Sequence, residues 1–324
     1  MKNKKSTKKQ KSTSSSPVLT TLVPVSLLRS SLFGISGEGE DISDETIIPS
    51  DKRMSGAEIR YTGPYLTQEH FKVWQACIYL SQQPGNKIGG DTTIAKFTEL
   101  LSLCGRNTRD YRQYKKVYEL MNDMVGAKLN VSTWRVEYAG TLISEISRDR
   151  DTSDDEGAQT FMEDLAINKK GPSTVRFRLN NMLAQFLSNE TLKNDLLRHA
   201  EIGRDQLASW LHNYYATHKD PPPLTVQELI SLCQSPLDPP QFKARLQRSL
   251  KKLTTGIRPL ITKWNIDQDN IVRVEKCPTT VDMRSPDQAK RDAHAKWKSI
   301  QDRGLTKTGR TKSHSANAPR GFVM

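Results

Sequence analysis

Residues 99–104 read ELLSLC and residues 228–233 read ELISLC. Each is followed by a turn and then by a basic, amphipathic segment. Tyr111, Tyr114, Val117, Met121 and Met124 follow the first copy, and Phe242, Leu246, Leu250 and Leu253 follow the second. Both sets recur at the spacing of one helix face. Each segment then gives way to β-branched residues carrying a tryptophan, Trp134 and Trp264; the offset between copies is 129 at the glutamate and 130 at the tryptophan. A module used twice is the strongest statement in the chain.

Thr67 is placed to cap a helix bearing Phe71, Trp74 and Ile78. Leu207, Trp210, Leu211 and Tyr214 mark its counterpart, which ends before Pro221. Asp91, Thr92 and Thr93 are cap candidates for the first short helix. Thr225 with Glu228 forms a capping box for the second. A longer helix is expected over 108–126, and another begins at Asp238 with Pro239 and Pro240 in its first turn. Hairpins are expected around Ala139-Gly140 and around Asp267–Asn270, with Thr174–Leu179 a returning strand and 181–187 a connecting helix. Glu58–Tyr61 resembles a short strand.

Each unit therefore runs helix, short helix, turn, basic helix, hairpin. The expected fold class is α+β: tandem winged-helix domains, helix-turn-helix plus β-hairpin, with disordered basic tails. The expected boundaries are a tail over 1–25, domain 1 over 26–180, domain 2 over 181–278 and a basic tail over 279–324. Within the first stretch, residues 17–35 hold an apolar patch that suits a short strand and helix or a docking segment. The acidic stretch to Asp51 reads as a linker, and 148–164 as a mobile acidic loop.

Charge supports this division. The 324 residues carry a formal charge of +13. Residues 1–12 hold six lysines and no acid, and residues 283–324 hold ten Lys/Arg against three Asp, so the tails account for all of the excess. Inside the neutral middle, cations collect on the two long helices. The candidate DNA-binding residues are Arg106, Asn107, Arg109, Arg112, Gln113 and Lys116 in the first copy. In the second they are Lys243, Arg245, Gln247, Arg248, Lys251 and Lys252. Such a helix fits a major groove, with cations reaching phosphates and Arg, Gln and Asn reaching base edges. A helix rich in Lys and Arg is also a common solvated face; two of them in the same context point to DNA.

Other classes find little support. The four cysteines, Cys77, Cys104, Cys233 and Cys277, form no CxxC pair and read as small reduced core residues of a cytosolic protein. Neither a metal site nor a cofactor is expected. No apolar run approaches the roughly 20 residues of a membrane span, and no secretory signal is expected at the N-terminus. The six histidines are scattered, and no phosphate-binding GxxxxGK[ST] loop occurs. An enzyme, such as an origin-nicking relaxase or nuclease, is therefore the weaker reading. A transcriptional regulator using the same modules remains an alternative.

Three strings occurring in order resemble the TrfA-type plasmid replication initiators: Arg29-Ser30-Ser31-Leu32-Phe33, Ile59-Arg60-Tyr61-Thr62-Gly63 and Val73-Trp74-Gln75. The resemblance spans residues 26–277. It implies a non-enzymatic bacterial initiator, cytoplasmic and associated with plasmid DNA. Such a protein binds repeated sites (iterons) in the double-stranded origin and helps to open it. It also implies recruitment of host DnaA, the replicative helicase and the sliding clamp, and exchange between homodimers and monomers. Initiators of this kind dock on the clamp through a Q-L-S-L-F-like peptide, for which Ser31, Leu32 and Phe33 are the candidates here. Arg29 and Ser30 replace the first two positions of that pattern, and packing of Leu32 and Phe33 on the first domain is the alternative.

Overall fold

In the computed structural model the short helices form where the repeat places them, and the turns after them share one geometry. The structure describes residues 20–36, 41–51, 58–83, 85–86, 92–132, 137–147, 173–180, 191–256 and 259–277, all within one unit, Met1–Met283. Residues 1–19 of the first expected tail, the second tail, the acidic loop, the 181–187 helix and Trp134 lie outside these residues, whereas residues 20–25, expected within the first tail, form the first strand and the start of the first helix.

The order begins with β1 (Thr20–Pro24), α1 (Val25–Leu28), β2 (Ile42–Ile47), β3 (Glu58–Gly63) and α2 (Gln68–Ser81). It continues with β4 (Thr92–Lys96), α3 (Phe97–Leu103), α4 (Tyr111–Gly126), β5 (Lys128–Ser132), β6 (Glu137–Thr141), β7 (Ile143–Ser147) and β8 (Thr174–Leu179). The second half holds β9 (Thr191–Asp195), α5 (Leu196–Ile202), α6 (Gln206–Ala216), β10 (Leu224–Thr225), α7 (Val226–Cys233), α8 (Pro239–Leu253), β11 (Ile261–Ile266) and β12 (Ile271–Lys276). The fold is mixed α+β, and the pairings between these strands are antiparallel.

The caps explain the helix starts. Thr67 accepts from the Glu69 amide, and His70 Nδ1 accepts from the Thr67 amide at 2.9 Å, closing a capping box on α2. Thr225 Oγ1 accepts from the Glu228 amide at 3.1 Å, and Glu228 returns the bond to the Thr225 amide at 2.7 Å. Thr225→Ala is expected to cost about 1 kcal/mol. Urea denaturation checks this, and no loss would show that α7 is held by packing alone. After the short helices, Gly105 adopts φ +66° and Gln234 φ +52°. The chain thus turns the same way in both copies, through a left-handed residue that costs a non-glycine side chain roughly 1–2 kcal/mol.

The hairpins are where expectation and structure part. The strands β11 and β12 do pair across Asp267–Asn270, and β10 adds to β12, giving the sheet order β10-β12-β11. In the first half the strand preceding the short helix, β4, pairs with β8, and β8 with β7, giving β4-β8-β7. The counterpart of β11–β12 is therefore β7–β8. The strands β5 and β6, expected as part of that hairpin, instead join β2 and β3 in a separate sheet of order β2-β3-β5-β6. Ala139 and Gly140 lie within β6, opposite Asn130 and Leu129, rather than in a turn. A Cβ on Gly140 would meet the Tyr138 hydroxyl and Asn180 Nδ2 at 2.6 Å, so this glycine serves a close approach and not a bend. Two further expectations are corrected. Thr92 and Thr93 belong to strand β4 rather than to a helix cap, and the acidic stretch before Asp51 contains β2, which pairs with β3.

Two apolar clusters form the core. One gathers α2, α3 and α4 with the strands around them; the other gathers Trp210, Leu211, Leu229, Phe242, Leu246 and Leu250 from α6, α7 and α8. Helix α6 is more than amphipathic. Leu207 to Tyr215 are all buried, because α6 packs on α8 and also on α1 and α2.

Residues 29–35 run between the clusters. Leu32 and Phe33 belong to the first and Ile35 to the second. Ser31, Leu32 and Phe33 are only 1%, 3% and 2% exposed. The Phe33 ring lies 5.2 Å from Phe71 and 5.7 Å from Trp74. The clamp-docking candidate is thus already spent as core, and in this conformation it offers no peptide to a partner.

The seam between the halves is polar. Asn213 Nδ2 donates to Gln68 Oε1 at 3.0 Å, while its Oδ1 receives Asn194 Nδ2 at 2.8 Å and lies 2.8 Å from His199 Nε2. Burial, followed by the neighbouring His212, holds the His199 pKa well below its ordinary 6.5. The unfolded chain therefore takes up a proton that the folded chain refuses. This contribution to stability is complete above pH 6.5 and is lost as pH falls below it. Between pH 7.5 and 5.5 the urea midpoint should drop, and His199→Gln should drop less; parallel profiles would exclude His199 as a source of the slope.

Candidate nucleic-acid interface

On α8, Asp238 caps the first turn by accepting from the Gln241 amide at 2.9 Å, and the two prolines occupy positions that need no amide hydrogen. Phe242, Leu246, Ser249, Leu250 and Leu253 are buried. Gln241, Ala244, Gln247, Arg248 and Lys251 are exposed, and Lys243, Arg245 and Lys252 are half-buried at the margins. No acid stands anywhere on the helix. Lys243 Nζ donates to Asn270 Oδ1 at 2.7 Å, tying the helix to the β11–β12 turn. Lys251 and Lys252 occupy the last turn, where the helix dipole favours cations.

The α4 face differs. Asp110 caps it, and Asn107 Oδ1 accepts from the Arg109 amide at 2.9 Å. Asn107, Arg109, Arg112 and Lys116 are exposed as expected. Arg106 and Gln113 are instead tied into the fold. The Arg106 side chain is 16% exposed and bonds to Gln113 Oε1 at 2.9 Å and Glu69 Oε2 at 3.1 Å, linking α4 to the start of α2. Arg112 lies over the Tyr111 ring at 5.9 Å. By helical rotation of about 100° per residue, the face opposite the buried stripe carries Arg112, Lys115, Glu119 and Asn122. Glu119 lies 4.0 Å from Lys115. At the 129-residue offset of the repeat, it occupies the position of Arg248. The two long helices therefore present different fields, acid-free on α8 and mixed on α4.

The β11–β12 hairpin is nearly self-neutral: Arg273 lies 3.7 Å from Asp267, and Lys263 lies 3.9 Å from Glu275. Lys276, further down β12, points inward to the His218 carbonyl at 2.5 Å, and burial lowers its pKa to about 8. It belongs to the fold rather than to the cationic face.

Cys104 and Cys233 are buried, and burial raises both thiols to about 12. Among the described residues, no group of three or more His, Cys, Asp or Glu is placed to hold a metal ion, and no helix is long and apolar enough to cross a membrane.

Sequence reasoning passed over Gln241 and Ala244. Their signal is register alone, since both sit on the stripe opposite Phe242 and Leu246.

No family model and no curated protein matches the chain, so the TrfA-type resemblance rests on its three strings. Similar solved structures include two crystal structures of domains 2 and 3 of RctB, one of selenomethionine derivatives. Both are 13% identical to this chain. The derivative structure covers 76% of this chain and 95% of its own, with a TM-score of 0.49. The other covers 75% and 95%, with a TM-score of 0.46.

Proposed function

We propose that this chain is a sequence-specific duplex-DNA-binding protein that acts as a plasmid-type replication initiator, reading repeated sites through two winged helices in tandem. One observation carries the proposal. The same short helix, left-handed turn and long amphipathic helix with exposed cations occurs twice, each time with an antiparallel strand pair onto which the strand before the short helix adds. A solvated face alone does not explain an acid-free arc on α8 whose far side is packed into a core. In this reading α4 and α8 enter successive major grooves, about 34–36 Å apart on one face of the duplex.

The three TrfA-like strings extend the proposal to iterons at an origin, to opening of the duplex without enzymatic chemistry, and to DnaA, helicase and clamp as host partners. They extend it also to dimer–monomer exchange and to a cytoplasmic, plasmid-associated location. Because Ser31, Leu32 and Phe33 are buried, a clamp contact through them requires this segment to leave the core.

Footprinting of the full chain on the origin of the replicon that encodes it tests the reading. Protection repeating in phase with direct repeats is expected. Protection confined to one promoter palindrome favours a transcriptional regulator, and uniform protection of any duplex sinks specific binding altogether.

A further inference from the structure

The proposed interface contains an anomaly at its centre. The buried stripe of α8 is Phe242, Leu246, Ser249, Leu250 and Leu253. At about 100° per residue, the residue most nearly opposite the middle of that stripe is Ala244. Long polar side chains surround it: Gln241 one turn before, Gln247 and Arg248 one turn after, and Lys251 beyond, all exposed. A phosphate-binding face would place a cation at its apex. A methyl there does the opposite, letting the helix axis come close to whatever it faces while longer neighbours reach past on both sides. Arg248 Nε donates to the Ala244 carbonyl at 3.4 Å, so the arginine stem lies back along this stripe. The corresponding apex of α4 holds Lys115 and Glu119.

We infer that Gln241, Ala244 and Arg248 form a base-reading triad on α8, with Ala244 packing on a thymine C5-methyl, Gln241 pairing with an adenine and Arg248 with a guanine. This rests on the proposed function and specifies its ligand. The chemistry follows from the groove edges: glutamine matches adenine N6/N7, arginine matches guanine O6/N7, and an alanine methyl matches the thymine methyl. Seven residues of helix rise about 10 Å, roughly three base-pair steps. The thymine therefore lies between the adenine and the guanine within one short window. Nothing comparable is available on α4, where Gln113 is held by Arg106.

The test uses duplexes selected from a random library by the full-length chain. Every thymine of the selected site is replaced in turn by deoxyuridine, which removes only the methyl. One position is expected to weaken binding by about threefold to fivefold, the value of one buried methyl group. That loss should vanish in Ala244→Gly, while Ala244→Gln should lower specific binding by a larger factor than binding to random duplex. Gln241→Ala and Arg248→Ala should relax base preference on opposite sides of that thymine. If no sequence is enriched, the proposed function fails and the triad with it. If a site is enriched but no thymine is methyl-sensitive, or Ala244→Gly keeps the same sensitivity, the triad alone is overturned.

Discussion

Arg29→Ala is expected to lower the free energy of unfolding by about 3–5 kcal/mol, the cost of breaking a buried charged network from one side. Arg29 is 2% exposed and reaches from the end of α1 to the end of α6. Its Nε donates to Thr217 Oγ1 at 2.8 Å and its terminal nitrogen to the Thr217 carbonyl at 2.6 Å. Beside it, the Asp51 amide donates to the Arg29 carbonyl at 3.1 Å. Asp51 Oδ2 accepts from the Tyr214 hydroxyl at 2.6 Å and lies 3.6 Å from His218 Nε2. Truncation removes the guanidinium but leaves the Thr217 carbonyl and a nearby carboxylate, 5% exposed, away from water. The damage should therefore exceed the loss of two ordinary hydrogen bonds. Adding Asp51→Asn should recover part of it, because the two residues share one network. Urea denaturation of the full chain measures both; a loss below about 1 kcal/mol would show that this seam does not hold the halves together.

The second large effect falls on binding. Arg248→Glu combined with Lys251→Glu is expected to weaken specific DNA binding by at least about 100-fold. One base contact worth about 1–3 kcal/mol disappears with Arg248, the Lys251 cation is lost, and two new anions face the duplex backbone. Both residues are exposed, and neither contributes to the core, so the thermal transition should move little. The same pair of reversals placed on α4, at Arg112 and Lys116, should cost less, because Glu119 already offsets part of that field. Fluorescence anisotropy at fixed salt compares the two. Equal losses from both helices would contradict the asymmetry seen in their outward faces.

Much of the fold was legible because the decisive signals are local. A capping box at Thr225, two prolines behind Asp238 and heptad-like apolar spacing in α8 all act within a few residues, and each is found as expected. The cationic character of the long helices is local as well. What local signals could not convey is partnership. Arg106 and Arg109 look equivalent in sequence, yet one is turned inward by Glu69, which is distant in the chain but adjacent in space. Ser31-Leu32-Phe33 looks like a free peptide until Phe71 and Trp74 are placed around it.

The strand assignments divide in the same manner. The second hairpin is legible because a four-residue turn joins its strands. In the first half, β7 and β8 are separated by residues 148–173, and sequence offers a nearer but false partner in β5 and β6. Strand propensity marks which residues extend, whereas pairing is decided by which edge is open once the helices have packed.

One module used twice, the ends of its helices and the exposed cations on its long helices are legible in the chain alone. These follow from periodicity, capping and charge, all of which act over a few residues. Tertiary packing alone selects β7–β8 rather than β5–β6 as the counterpart of β11–β12, and makes Arg29 to Ile35 the buried tie between two cores. Those facts depend on contacts between residues far apart in the chain, where burial and open hydrogen-bonding edges, not local preference, select the partner.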